Sequence, residues 1–69
     1  MFNADLMGSR LRAARLARGM TQLQLARASG HPVATVSRFE RGQTGGRLGV
    51  LADLVSALEL DLDVLITGV

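Results

Sequence analysis

Arginine is the only permanently basic side chain in this protein, with eight arginines, no lysine, one histidine and no cysteine among 69 residues. Its chemistry is anion recognition. The planar, always-charged guanidinium presents a rigid fork of N–H donors that matches phosphate oxygens and the edge of guanine. Residues 1–47 carry all eight arginines against Asp5 and Glu40, a balance of +6, whereas residues 48–69 carry Asp53, Glu59, Asp61 and Asp63, a balance of −4. A basic part beside an acidic part suggests a nucleic-acid face and a second face turned away from phosphate. Catalysis has little to work with. His31 has no second ligand or acid–base partner spaced to help it, so it reads as a half-exposed turn residue. Glu59, Asp61 and Asp63 read as solvated acids, and no glycine motif of the phosphate-cradling kind follows a strand. The chain is therefore expected to be no enzyme and to hold no metal or cofactor. The lack of cysteine removes disulfides and fits a reducing compartment. With no signal-peptide pattern and no apolar run near the ~18 residues a membrane span needs, a soluble cytoplasmic protein without a membrane partner is expected.

The elements that would position these arginines centre on Thr21 to Gly42, TQLQLARASGHPVATVSRFERG. Thr21 is a good N-cap, Gln24 can close a capping box, and Met20 with Leu25 can form a hydrophobic staple. Leu23, Leu25 and Ala26 supply the buried positions of a short helix that Gly30 ends. Pro32 suits the first position of a second helix, with Val36 and Phe39 as its apolar stripe and Gly42 closing it. Ala26, Gly30 and Val36 place a small residue, a turn glycine and an aliphatic residue where two helices cross closely at a steep angle. That spacing is the helix-turn-helix signature.

With Thr21-Gln22, Ala26, Gly30 and Thr35-Val36-Ser37-Arg38-Phe39-Glu40-Arg41-Gly42, the chain resembles the Cro and phage-repressor (XRE) superfamily from about Leu11 to Leu65. His31, Pro32 and Ser29 depart from the usual aliphatic residue, Ser/Thr cap and leucine, which puts the local geometry of the turn in question. The resemblance implies an all-α fold of four to five short helices, lambda-repressor-like, in one domain over 1–69 with the motif at 21–42. It places the second motif helix in the major groove, with Val33, Ala34, Ser37 and Arg38 facing base edges. Arg38 could bond guanine bidentately, Ser37 could donate or accept, and Val33 and Ala34 could only meet thymine methyls. Gln22, Arg41 and the backbone N–H groups of Gln43 and Thr44 would touch phosphate, with Thr35 either joining them or serving as helix filler. An ion pair between Arg15 and Glu40 would lock the first helix to the recognition helix.

The flanks fit this frame. A first helix from near Asn3–Asp5 to about Arg18 has Leu6, Met7, Leu11, Ala14 and Ala17 as its buried stripe. Its Arg10, Arg12 and Arg18 read as a solvated face that could add phosphate contacts. The loop from Gln43 to Gly46 is a polar connector. A helix from about Arg47 to Leu58 buries Leu48, Leu51, Leu54, Val55 and Leu58, with Gly49 in its first turn. In the segment 59–67, Leu60, Leu62, Val64 and Ile66 alternate with Asp61, Asp63, Leu65 and Thr67. This is either a short fifth helix or a strand, and a lone strand would have to pair with its twin in a homodimer.

A core this small gains from a second copy. The resemblance implies sequence-specific binding of an inverted-repeat double-stranded DNA operator by a homodimer that represses transcription. Residues 34–40 and the C-terminal alternation resemble HipB-type antitoxins, which would add a HipA-like kinase toxin as partner. A stand-alone or phage-type regulator remains the alternative. A protein-interaction module that has lost DNA is the reading from another class, and Val33 and Ala34 are its best support.

Overall fold

Asn3 sets the start of the first helix. Its extended backbone lets the side-chain oxygen accept the Leu6 N–H at 3.0 Å, and α1 then runs Ala4–Ala17. Asp5 in the first turn and Arg15 in the last complement the helix dipole. Gly19, at φ +66°, turns the chain out of the helix through the left-handed region. The computed structural model, which describes residues 3–43, 47–61 and 65, places three more helices after it: α2 (Gln22–Ser29), α3 (Val33–Glu40) and α4 (Leu48–Ala57).

The expected capping box opens α2: the Gln24 N–H donates to Thr21 Oγ1 at 3.1 Å, and the Thr21 N–H donates to Gln24 Oε1 at 2.8 Å. Gly30 ends it at φ +76°, and the N–H groups of Gly30 and His31 both donate to the Ala26 carbonyl, at 3.0 and 3.1 Å. Pro32 is the N-cap of α3 rather than its first helical residue. Its φ of −62° suits that corner, but it has no acceptor side chain, so the first turn of α3 has no side-chain cap.

Helices of eight residues do not persist alone in water, so α2 and α3 depend on packing. α1 lies on α3, α3 on α2, and α2 on α4. Between them Met7, Leu11, Leu25, Ala26, Val36, Phe39, Leu51, Leu54, Val55, Leu58 and Leu65 form one core, with Ala14, Met20, Val50, Ala57 and Leu60 packed at its margin.

Three helix stripes differ from expectation at one position or more. In α1 the buried face is Met7, Gly8, Leu11 and Arg15; Leu6 is 42% exposed and Ala17 faces solvent. The phase of the helix is set by Gly8 and Arg15, which both turn inward. In α2, Leu23 is exposed, because the inward face is Gln22, Leu25, Ala26 and Ser29 and residue 23 lies roughly 110° round the helix from its centre. In α4 the stripe starts at Leu51; Leu48, the first helical residue, lies beyond the edge of the core. Leu65, just past the alternating segment's midpoint, is helical and buried in the core of its own chain, and Leu60 packs at the margin of that core. Among the described residues there is no strand. Leu62, Val64 and Ile66, read as dimerising positions, lie outside the described residues.

Candidate nucleic-acid interface

The two faces of α3 are chemically opposite. Val36 and Phe39 point into the core, while Val33, Ala34 and Arg38 are exposed and Thr35 and Ser37 are half-buried at the flanks. Val33 with Ser37 and Ala34 with Arg38 stand one turn apart, so the four form a single outward strip. An eight-residue helix is about 12 Å long, comparable to the width of the DNA major groove. Of this strip, only Ser37 and Arg38 bring hydrogen-bonding groups.

A buried lock fixes α3 against the other helices. Arg15 Nε donates to Glu40 Oε2 at 2.6 Å and Arg15 Nη2 donates to Glu40 Oε1 at 3.0 Å, a bidentate pair with side chains only 8% and 2% exposed. The third guanidinium nitrogen is used as well, since Arg15 Nη1 donates to the Met20 carbonyl at 2.7 Å. Gln22 Nε2 donates to Glu40 Oε1 at 3.0 Å. The end of α1, the start of α2 and the end of α3 therefore converge on one carboxylate. The hydrogen bond to Glu40 raises the Arg15 pKa above the ordinary arginine value, burial opposes this, and the charge of Glu40 adds to the rise. A raised basic pKa contributes stability that is fully present as pH enters the ordinary arginine range from below and is lost as pH rises through the raised value, so this pair weakens only in strong alkali.

The residues read as phosphate contacts fall in three situations. Gln22 spends one amide proton on Glu40, and the second proton of the same nitrogen remains to donate outward. Arg41 is exposed beyond the C-terminal end of α3. The backbone N–H of Gln43 donates to the Arg38 carbonyl at 2.8 Å, so it is not offered to phosphate as expected; the exposed side-chain amide is the group that faces solvent. Thr44 lies outside the described residues. Thr35, Arg38, Phe39, Gln43, Arg47 and Val50 line an open concavity of about 150 Å³ between α3 and the start of α4. The lining residues thus include two arginines, a threonine and a glutamine. Arg47 was missing from the sequence reading, although an arginine immediately before a helix that neighbours the motif was its visible signal.

Two other arginines, Arg10 of α1 and Arg18 at its C-cap, are engaged elsewhere. Arg10 Nη1 donates to the Leu65 carbonyl at 2.8 Å, and Arg18 meets Glu59 at 3.5 Å in an exposed pair that contributes little. A further polar contact that sequence reasoning missed joins His31 Nε2 to Asp53 Oδ2 at 2.9 Å, spanning the motif turn and α4. No group of three or more His, Cys, Asp or Glu that could hold a metal occurs among the described residues. No described helix is long and apolar enough to cross a membrane.

Known proteins with this arrangement regulate genes. The structure superposes on the restriction-modification controller protein C.AhdI from Aeromonas hydrophila with a TM-score of 0.84 and 35% identity, covering 90% of this chain and 94% of that one. The clp gene regulator ClgR from C. glutamicum gives a TM-score of 0.84 at 33% identity, with 96% and 86% covered. A second restriction-modification controller, C.Esp1396I, gives 0.86 at 25% identity, with 99% and 90% covered. No curated protein matches the chain closely enough to add to these. The model of the helix-turn-helix family matches residues 11–65, the span that holds the Arg15–Glu40 lock, the Gly30 turn and the whole of α3, and the chain belongs to that XRE-type family.

Proposed function

We propose that this protein is a transcription regulator that binds double-stranded DNA in a sequence-specific manner, as a homodimer on an inverted repeat, and acts as a repressor. The observation that carries the reading is the outward strip of α3, with Arg38 exposed on a helix whose other face is buried and locked through Glu40. Regulators of restriction-modification and clp genes that share this fold at 33–35% identity support it. The antitoxin reading, with its HipA-like kinase partner, leaned on residues 34–40, which solitary regulators share, and on a C-terminal alternation read as a strand, to which the described part of that segment offers no support.

The test is selection from a pool of random duplex DNA followed by sequencing of the bound fraction. An inverted repeat with half-sites one or more helical turns apart is the expected product, and an unenriched pool would reject the reading in favour of a protein partner. Affinity for the recovered site should fall by ~10³–10⁵ between 50 and 200 mM salt if the dimer touches ~6–10 phosphates. A flat salt response would contradict the proposal.

Two substitutions separate base reading from phosphate contact. Arg38→Ala is expected to cost about 1–3 kcal/mol per half-site and to relax preference at one base pair. Gln22→Ala is expected to weaken recovered and random DNA alike, and, since its amide is neutral, to leave the salt slope unchanged. Equal loss on both DNAs for Arg38→Ala would remove it from the base-reading set.

A further inference from the structure

We infer that His31 and Asp53 form a positioning link that sets the orientation of the N-terminal end of α3, and thereby how sharply its base-facing strip discriminates between sequences. This deepens the DNA-binding reading and rests on it. The two ends of α3 are held very differently. Its C-terminal end carries Glu40, fixed by three hydrogen bonds, two from Arg15 and one from Gln22. Its N-terminal end begins at Pro32, which supplies no side-chain cap, and its first turn closes only through the Thr35 and Val36 N–H groups on the Pro32 carbonyl, at 2.9 and 3.4 Å. Val33 and Ala34, half of the base-facing strip, stand on this less restrained end.

The preceding residue supplies the restraint. His31 is itself fixed by its N–H to the Ala26 carbonyl, and its ring reaches across to α4, where Nε2–H donates to the Asp53 carboxylate at 2.9 Å. The carboxylate is the acceptor because it carries no proton to give. Among the described residues no other side-chain hydrogen bond ties the turn between α2 and α3 to α4. The His31 side chain is 22% exposed and Asp53 60% exposed, so the link is at the surface and adds little to global stability. Its effect is geometric: it couples the turn to α4, a helix that otherwise packs chiefly on α2.

The experiment uses the full chain with four variants: His31→Ala, Asp53→Ala, the double substitution and His31→Gln. The first readout needs no DNA. Hydrogen exchange at the Thr35 and Val36 amides should speed up about five-fold in either alanine variant, while amides at Leu25 and Ala26 stay as they are. The double variant should exchange no faster than the single ones, and His31→Gln, which keeps an N–H donor, should restore most of the protection. The second readout is the ratio of affinities for the selected site and random DNA. It should fall about five-fold in the alanine variants, with random-DNA affinity and melting temperature little changed, and recover with His31→Gln. Unchanged exchange in the alanine variants, additive effects in the double variant, or a lost ratio that His31→Gln fails to restore would overturn the link. If exchange responds as expected while wild-type protein selects no site, the DNA-binding reading fails and the consequence for discrimination falls with it.

Discussion

Glu40→Ala is expected to lower the stability of the domain by about 3–5 kcal/mol, the usual consequence of removing one partner of a buried ion pair. At roughly 0.05–0.15 kcal/mol per residue, a chain of 69 residues holds only about 3–10 kcal/mol in all, so much of the variant should be unfolded at growth temperature. The reasoning lies in what the carboxylate leaves behind. Arg15 is buried to 8% side-chain exposure, its guanidinium stays charged with or without a partner, and two of its donors would point at an empty site. Gln22 would lose its acceptor too. Glu40 gains nothing from its place in α3, because an acid at the last helical residue opposes the helix dipole; its contribution comes from the pair. Urea denaturation followed by circular dichroism measures the loss. The double substitution Arg15→Met with Glu40→Leu should recover stability relative to Glu40→Ala, since it removes the stranded charge and fills the volume with apolar atoms. A Glu40→Ala protein within 1 kcal/mol of wild type would show that the pair contributes no more than a surface contact.

The parts of this fold that were legible in the sequence are those whose causes are local. Thr21 with Gln24, and Gly30, act through backbone groups within a few residues, and the structure has the capping box and the left-handed turn where they stand. Which face of each helix turns inward is a different matter. Periodicity locates apolar residues but does not say that Arg15 belongs among them, and once an arginine occupies the interior of α1, Leu6 and Ala17 are carried outward. The same blindness placed Leu23 and Leu48 inside, where no facing helix exists to receive them. At the interface, the buried side of α3 followed from Val36 and Phe39, whereas the choice of Val33, Ala34, Ser37 and Arg38 as the base-facing strip came from the family resemblance. The Gln43 N–H could not, because its use depends on how the chain closes behind α3 and returns to the Arg38 carbonyl. Arg47 and the His31–Asp53 contact depend on where α4 comes to rest, and no spacing rule connects residues 31 and 53.

Gly8→Ala is the second large effect, and its sign runs against helix propensity. In an exposed helix interior this exchange stabilises by up to ~1 kcal/mol, because alanine loses less backbone entropy than glycine. Here the added methyl would lie deep inside van der Waals contact with the Phe39 carbonyl oxygen and close against the Glu40 carbonyl group. Both are backbone atoms of α3, so no side-chain rotation relieves the collision; α1 and α3 must move apart. That separation would stretch the Arg15–Glu40 pair, which bridges the same two helices at 2.6 Å, and loosen Met7 and Leu11 from the core. Overpacking of this kind costs about 1–3 kcal/mol, and the shared disturbance of the ion pair should bring the net loss to the upper end of that range. Gly49→Ala is the matched control. Gly49 lies in the first turn of α4 with nothing within 4 Å of an added methyl, so the substitution should stabilise by about 0.5 kcal/mol. Denaturation midpoints of the two variants therefore move in opposite directions from wild type. A Gly8→Ala protein as stable as Gly49→Ala would mean that α1 and α3 do not approach so closely in solution. The close approach that positions Glu40, and with it the outward strip of α3, would then be wrong.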